Sequence, residues 1–585
     1  MNITTQPTQS TPIELEAAIN RLRDGEVAWS RTPLAERRRL LLETGAAATT
    51  HAEEWVAAAV AIKQLPPRSP LVGEEWISGP YATAIYTQAL AETLDALDNG
   101  RDPLARYRTR TVPGDRIAIE VLPHNTFDRL LLGGFHAEVW MSPGTSADNV
   151  QTGLGQRRAR QTRGVALVLG AGNITSIAPL DVLYQRYAEN RVALLKLNPI
   201  TDPMLPVLQR VFAPLIARGF VQIVTGGPHT GALLTSHPAI AAVHITGSAA
   251  THDAIIFGTG TAGAVAKAAN APSLKKPITS ELGGVSPTMV IPGQWSASDL
   301  RYQAEHIATQ KLHNNGFNCV ASQIVILSAD WPQKHAFLAE LRSALADAPD
   351  RAAYYPGSDT RVRNARDAYP HAEALGAGSD RILITGLDLS DGNEPAFRTE
   401  YFAPVLGVAE LPGTGGAFLA AAVQAANVRL HGTLGANLIA HPSTLRELRP
   451  TLDSHIATLR FGTIAVNAWT GLGYLNPRAT WGAFPGHQLD DIQSGRGVVH
   501  NALLLEHPER TVVRGPFRPS HRALVNGEMS ISPKPPWFVT NRTARHRTQA
   551  HVIRRSPALE RPTLDLRLSR PGVAAATRKE LDTRT

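Results

Sequence analysis

Val165-Ala-Leu-Val-Leu-Gly-Ala-Gly-Asn173 is the stretch from which the fold can be read. Its five leading apolar residues have the pattern of a strand buried on both faces. Gly170-Ala-Gly172 turns the chain, and Ser176 to Glu189 carries a helical pattern. The unit then recurs. Val192-Ala-Leu-Leu195 ends at Lys196, and Leu205 to Arg218 reads as helix with Gly219 as its stop. Val221-Gln-Ile-Val224 ends at Thr225-Gly226-Gly227, and Ala242-Val-His-Ile245 ends at Thr246-Gly247. Strands alternating with helices predict an α/β fold with a parallel, doubly wound sheet and right-handed crossovers. Ligands bind such sheets outside the carboxyl ends of the strands. Gly170, Lys196, Gly226 and Gly247 stand at those ends.

Working outward, residues 13–105 read as helical, closed by Asn99-Gly100 and Asp102-Pro103. A second alternating region runs from Leu282 to Ala468, with strand candidates at 288–291, 323–327, 382–384, 405–409 and 463–466. Helices are expected at Asp299–Lys311 and Ala336–Ala346. It predicts a second α/β domain. Beyond Gly497 the chain turns strand-like to Val513, then Pro- and Arg-rich.

The chain has 585 residues, room for about three or four domains. Its single cysteine excludes an internal disulfide and fits a reducing, cytoplasmic setting. The N-terminus lacks a basic and apolar leader, and no apolar run is long enough to cross a bilayer. The net charge is +8, carried mostly by arginine. Arg542, Arg545, Arg547, Arg554, Arg555, Arg561, Arg567, Arg570 and Arg578 concentrate it in the tail. Such a tail is either an arm for a polyanion or a solvated extension. Without zinc-ligand spacing or interleaved aromatic residues the second reading is preferred, and nucleic acid is not an expected partner. Asn541-Arg-Thr543 has the glycosylation pattern, which needs secretion that nothing else supports.

Chemistry concentrates at three places. Gly170-Ala-Gly172 begins like a dinucleotide fingerprint, but Thr175 replaces its third glycine and Lys196 stands where the acidic residue is usual. Cys319 follows Asn314-Asn-Gly-Phe-Asn318, a turn able to expose a thiol and to aim amides at an oxyanion. A lone cysteine is otherwise most often a small buried hydrophobe. Glu281 precedes Leu282-Gly-Gly-Val-Ser-Pro287 and is by itself either a surface charge or a general base. His306 and His313 share a helix face but lack a third ligand, so packing is preferred to metal binding and no metal is expected.

In register, these pieces resemble the aldehyde dehydrogenase superfamily. Glu281-Leu-Gly-Gly-x-Ser-Pro287 is followed by Gly316-x-x-Cys319, as in that family. Gly172-Asn173 resembles its oxyanion-asparagine segment, Leu194-Leu-Lys196 its ribose lysine, and Ile245-Thr-Gly-Ser248 its turn beneath the cofactor. Thr399-Glu-Tyr-Phe-Ala-Pro-Val405 resembles the segment whose glutamate holds the nicotinamide ribose. The resemblance covers about residues 160–490. It implies two doubly wound α/β domains and a small oligomerisation β-element. The division is a helical part of the cofactor domain at 1–136, an oligomerisation hairpin at 137–163, and the NAD(P)-binding domain at 164–281. The catalytic domain follows at 282–490, an oligomerisation strand at 491–515 and a basic, partly disordered extension at 516–585.

The resemblance further implies Cys319 as nucleophile, Glu281 as base and Asn173 as oxyanion donor. It implies Lys196, Gly226, Thr246, Gly247, Ser248, Glu400 and Phe402 as binders of NAD or NADP. The expected activity is oxidation of an aldehyde to a carboxylic acid through a cysteine thiohemiacetal and thioester, by a homodimer or homotetramer. Alternatives are a coenzyme A-acylating dehydrogenase or acyl reductase, and a scaffold of the same fold. Retention of Glu281 favours the acid. The chain departs from the family pattern in lacking Pro-Trp before Asn173, and in carrying His252, Pro199 and Phe317-Asn318. Pro199 replaces a ribose-binding glutamate and leaves the choice between NAD and NADP open. Lys196, without a nearby acid, could accept a 2′-phosphate.

Overall fold

The computed structural model describes residues 9–156, 164–518, 534–545 and 548–549. Most of the tail arginines and the arginines at 157–163 lie outside the described residues. Two sheets form the framework. The first runs, in order, through Gly495–Arg496, Ile278–Leu282, Ile240–Gly247, Val165–Leu169, Val192–Lys196 and Val221–Val224. All neighbours are parallel except the short Gly495–Arg496 pair. The four expected strands are therefore present, and the chain reverses direction across the sheet between Val165–Leu169 and Ile240–Gly247. That reversal opens a crevice at the carboxyl ends of those two strands. Leu169 lies level with both Lys196 and Ile245. The strand ends named in the sequence thus form one rim.

A fifth parallel strand, Ile278–Leu282, was not expected. Only two of its five residues are aliphatic, because Thr279, Ser280 and Glu281 face polar partners. Thr279 meets the His244 ring at 2.9 Å. Register with the neighbouring strand sets Glu281 beside Thr246.

The second sheet has eleven strands. Seven are mutually parallel: Pro508–Arg514, Thr463–Val466, Gly435–Ile439, Ser286–Val290, Ser322–Ser328, Val405–Leu411 and Arg381–Leu387. Gly435–Ile439 also escaped the sequence reading. Asn437 interrupts its apolar run, but its amide is held at 3.4 Å by Thr288 and its oxygen takes the Thr470 N–H at 3.1 Å. A buried polar residue so matched does not break a strand.

Residues 137–163 contribute one strand among the described residues, His136–Met141, rather than a hairpin of their own. Its hairpin partner lies upstream, at Arg116–Leu122. Together with Thr109–Val112 these strands extend the large sheet beyond Pro508–Arg514, which His136–Met141 meets antiparallel. The helical N-terminal part runs from Pro12 to Asp98. Pro12–Arg31 starts with a capping box between Thr11 and Glu14 and packs against the first sheet through Trp29.

The Pro-rich tail differs from a solvated extension over 534–545. Trp537, Phe538, Val539 and Ala544 are buried there. Asn541 is buried too, with its amide committed to the carbonyls of Lys534 and Pro535 at 2.9 and 3.1 Å. That removes it as a surface glycan acceptor.

Candidate active site

Three chemically active side chains sit at the amino ends of three neighbouring strands of the large sheet. Glu281, Cys319 and Glu400 precede Ser286–Val290, Ser322–Ser328 and Val405–Leu411, which lie side by side in that order. Their loops face the carboxyl ends of the first sheet, so the site forms where the two sheets meet. Glu281 belongs to both, since it ends one strand and leads into the other.

The Cys319 turn is built by its asparagines and glycine. The helix Ala297–Leu312 ends, and Asn314, Asn315 and Gly316 follow with φ of 52°, 56° and 77°. Asparagine tolerates this left-handed region better than most residues, and glycine enters it without strain. Gly316 has a second reason: a Cβ there would lie 2.6 Å from the Ala403 carbonyl oxygen. The turn is tied to the first sheet. Asn314 Nδ2 donates to the Asn173 carbonyl at 3.1 Å, and Asn173 Nδ2 donates to the Phe317 carbonyl at 3.1 Å. One N–H of the Asn173 amide is thereby used and the amide has a second.

Cys319 is half-buried and lies between two cavities. The larger, about 1180 Å³, is walled by Gly172, Asn173, Lys196, Thr246, Gly247, Ser248, Glu281, Glu400 and Phe402. Nine of the ten residues named from the sequence, with Cys319, therefore share one cleft. Gly226 does not line it. It turns the chain before the helix Pro228–Ser236, whose residues do. The smaller cavity, about 40 Å³, is walled by Ile77, Ile174, Ile177, Trp469, Tyr474, Trp481 and Trp537 among others.

The electrostatics differ from those of a preformed thiolate. Burial pushes the Cys319 thiol well above its ordinary value, and the carboxyls of Glu281 and Glu400 add to this. Burial also pushes Glu281 up to about 7, reinforced by Asp181, while the Trp481 indole and the Cys319 thiol pull the other way. Glu400 is pushed up to about 8 by burial and by Glu281, against the pull of Lys311 and Arg361. The thiol is thus protonated at rest, beside a carboxyl that ionises near neutrality.

Several participants were not found from sequence. Asp181, fully buried on the helix Ile177–Tyr187, accepts from Thr246 Oγ1 at 2.9 Å and faces His244 at 3.4 Å. Lys311 is fully buried, bonded to Gln323 at 3.1 Å, and burial drops it to about 7. Neither has a local motif; a charge inside an otherwise apolar helix pattern was the only available signal. Lys196 does have a nearby acid, which corrects the reading of an unmatched lysine. Asp202 interacts with it and is itself pushed up to about 6 by burial. His306 stacks on Phe538 and His313 packs on Trp469, and no metal-binding group of three occurs among the described residues.

The cleft has features that a dinucleotide would satisfy. Its rim is the set of parallel strand ends at the chain reversal, and its volume exceeds that of most small-ligand pockets. On its wall, the Glu400 Oε1 atom is buried without a partner. At Gly283 a Cβ would meet Glu400 Oε1 at 1.8 Å, so only glycine lets that carboxyl reach the cleft.

Comparison with known proteins gives a consistent result. Residues 144–350 match the family model described as "Aldehyde dehydrogenase family". A coniferyl aldehyde dehydrogenase of Pseudomonas sp. strain HR199 is 26% identical over 293 residues, covering 46% of this chain and 56% of that protein. The match thus spans little more than half the length of that curated relative. Among solved structures, the gamma-glutamyl-gamma-aminobutyraldehyde dehydrogenase from Burkholderia cenocepacia J2315 superposes with a TM-score of 0.56 at 17% identity, over 86% of this chain and 89% of that one. The aldehyde dehydrogenase KauB from Pseudomonas aeruginosa gives a TM-score of 0.56 at 16% identity, over 87% and 90%. At such identity the structures establish the fold, two doubly wound α/β units, as the sequence predicted.

Proposed function

We infer that this chain is a member of the aldehyde dehydrogenase superfamily and oxidises an aldehyde to a carboxylic acid with NAD or NADP, using Cys319 as nucleophile. The observation that carries the reading is the convergence of Cys319, Glu281, Asn173 and Glu400 on one cleft at the meeting of two sheets. Lys196, Thr246, Gly247, Ser248, Glu400 and Phe402 would hold the dinucleotide, which supplies a two-electron acceptor when bound. Lys196 shares its place with Asp202, an arrangement suited to ribose hydroxyls as well as to a 2′-phosphate.

The protein's own groups act as follows. Glu281, as carboxylate, takes the Cys319 proton while sulfur bonds to the carbonyl carbon and the π electrons move onto oxygen. The raised thiol makes this base necessary, since the thiolate is the nucleophile. The oxyanion takes hydrogen bonds from the second Asn173 Nδ2–H and the Cys319 backbone N–H; one such donor is typically worth about 10²–10³ in rate. Once the carbon is at the acyl level and Glu281 has passed the thiol proton to solvent, Glu281, again a carboxylate, accepts a proton from the attacking water and gives it to the departing Cys319 sulfur. The carbon–sulfur bond breaks and the acid leaves. Burial of Glu281 and Cys319 keeps charge separation in a low-dielectric site, where these interactions are strong.

We further propose a cytoplasmic homodimer or homotetramer, with the exposed edge at Thr109–Val112 as part of the contact. No helix of the described residues is long and apolar enough to cross a membrane. The test of the activity is Cys319→Ser assayed with a panel of aldehydes and both cofactors. Loss of NAD(P)H production by at least about 10³-fold is expected. Undiminished production would overturn the assignment.

A further inference from the structure

The segment 534–545 joins neither sheet, yet it is fixed against the helix that leads to Cys319. Lys534 pairs with Glu305 at 2.7 Å, and Thr540 Oγ1 donates to the same carboxylate at 2.9 Å. The Val539 N–H donates to Thr309 at 3.2 Å. Phe538 packs between Tyr302 and His306, with ring centroids 5.3 and 5.4 Å away. Glu305, Thr309, Tyr302 and His306 all belong to Ala297–Leu312. Two turns, from Pro535 to Phe538 and from Phe538 to Asn541, close the segment on itself. Between these anchors Trp537 is only 7% exposed. It meets Phe135 edge-on and forms a wall of the small cavity at Cys319.

We propose that Trp537 is a specificity-determining residue that closes the acyl side of Cys319, restricting the site to aldehydes of a few heavy atoms. The proposal rests on Cys319 being the group that attacks the aldehyde. The larger cavity is shaped for a dinucleotide, so the substrate carbon chain must occupy the other side of the sulfur. There the space is about 40 Å³. A single water needs about 10–15 Å³ by the same kind of measure. Three of the walls are tryptophans, Trp469, Trp481 and Trp537. Trp469 follows the strand Thr463–Val466 of the large sheet, and Trp481 lies in a short strand paired with Val498–Val499. Trp537 comes from a segment held by side-chain contacts, so it is the wall that a substitution can remove without rebuilding a sheet.

The experiment measures kcat/KM for ethanal, propanal, hexanal and benzaldehyde at saturating cofactor. The wild-type protein is expected to favour the two short aldehydes. Trp537→Ala should raise the ratio of benzaldehyde or hexanal to propanal by about 10–200-fold, the range that a change of pocket volume gives. Glu305→Ala, which loosens the segment from outside the cavity, should move the ratio the same way by less. Trp537→Leu serves where the alanine variant does not fold. An unchanged ratio in the variants, with a wild-type protein that oxidises the panel, overturns the role of Trp537 and leaves the Cys319 reading standing. A wild-type preference for benzaldehyde does the same. A wild-type protein inactive on the whole panel with both cofactors overturns the Cys319 reading, and the proposal with it.

Discussion

A carboxyl ionising near neutrality beside a protonated thiol gives residue-scale behaviour that can be measured. Glu281 is effective as a base only when ionised, so kcat/KM should climb as pH rises through about 7. Glu281→Gln should remove that rising limb and lower the rate by about 10²–10⁴. A retained limb in the variant would transfer the base role elsewhere, Glu400 being the neighbour to examine. Stability has the opposite sign. Glu281 and Glu400 are both raised in the folded state, to about 7 and about 8. The folded protein therefore holds protons that an unfolded chain releases above the ordinary carboxyl range. Stability is fully present at low pH and falls as pH rises through 7 and 8. Glu281→Gln should abolish part of that fall, on the order of 1–3 kcal/mol. The readout is the difference in Tm between pH 5.5 and 8.5, which should shrink; an equal or larger difference in the variant would contradict the assigned direction.

At the scale of elements, the site depends on how one turn fits against a neighbouring loop. Gly316 has φ of 77°, and its Cα approaches the backbone just before Val405–Leu411. Gly316→Ala meets both a conformational and a steric obstacle. We expect a loss of about 1–3 kcal/mol in stability. A shift of the Cys319 and Glu400 loops by about 1 Å would further reduce kcat by about 10²-fold. Thermal unfolding and turnover of the variant separate the two effects, and a variant equal to wild type in both would show that the turn has room. The same scale explains two missed strands. Ile278–Leu282 and Gly435–Ile439 carry polar residues whose partners lie on other elements, so their sequences lack the alternation or apolar run by which a strand is recognised. Sequence patterns report exposure to water or to apolar surroundings, and they do not report a specific polar partner.

At the scale of the whole molecule, the N-terminal helices belong to the cofactor-side unit. Trp29 is buried with its indole N–H on Asn190 at 2.9 Å, its ring edge-on to Tyr187 and Phe220, and the Arg186 guanidinium 3.7 Å from its centroid. Trp29→Ala should cost about 3–5 kcal/mol, seen as a lower denaturation midpoint with loss of cofactor-dependent activity at moderate temperature. A shift under about 1 kcal/mol, the usual surface range, would mean that the helices are an appendage. The tail is the counterpart at the other terminus. Its basic composition predicts a solvated extension, whereas Trp537, Phe538 and Val539 are buried, Trp537 beside Phe135 and Phe538 against Tyr302 and His306 of Ala297–Leu312.

By itself, the sequence determined the alternation that makes the first sheet. It also placed Lys196 and Thr246 at strand ends and put Cys319, Glu281, Asn173 and Glu400 in a recognisable order. These follow from local periodicity and from motifs a few residues long. Only the tertiary structure decided that three of these groups stand at the amino ends of adjacent strands. Only it buried the thiol so that its ionisation is pushed up, set Asp202 beside Lys196, and put a tail tryptophan on the wall of the small cavity at Cys319. Each of these depends on distance between residues far apart in the chain, and on burial, which sets the dielectric around a charge. Neither quantity is written in any local pattern.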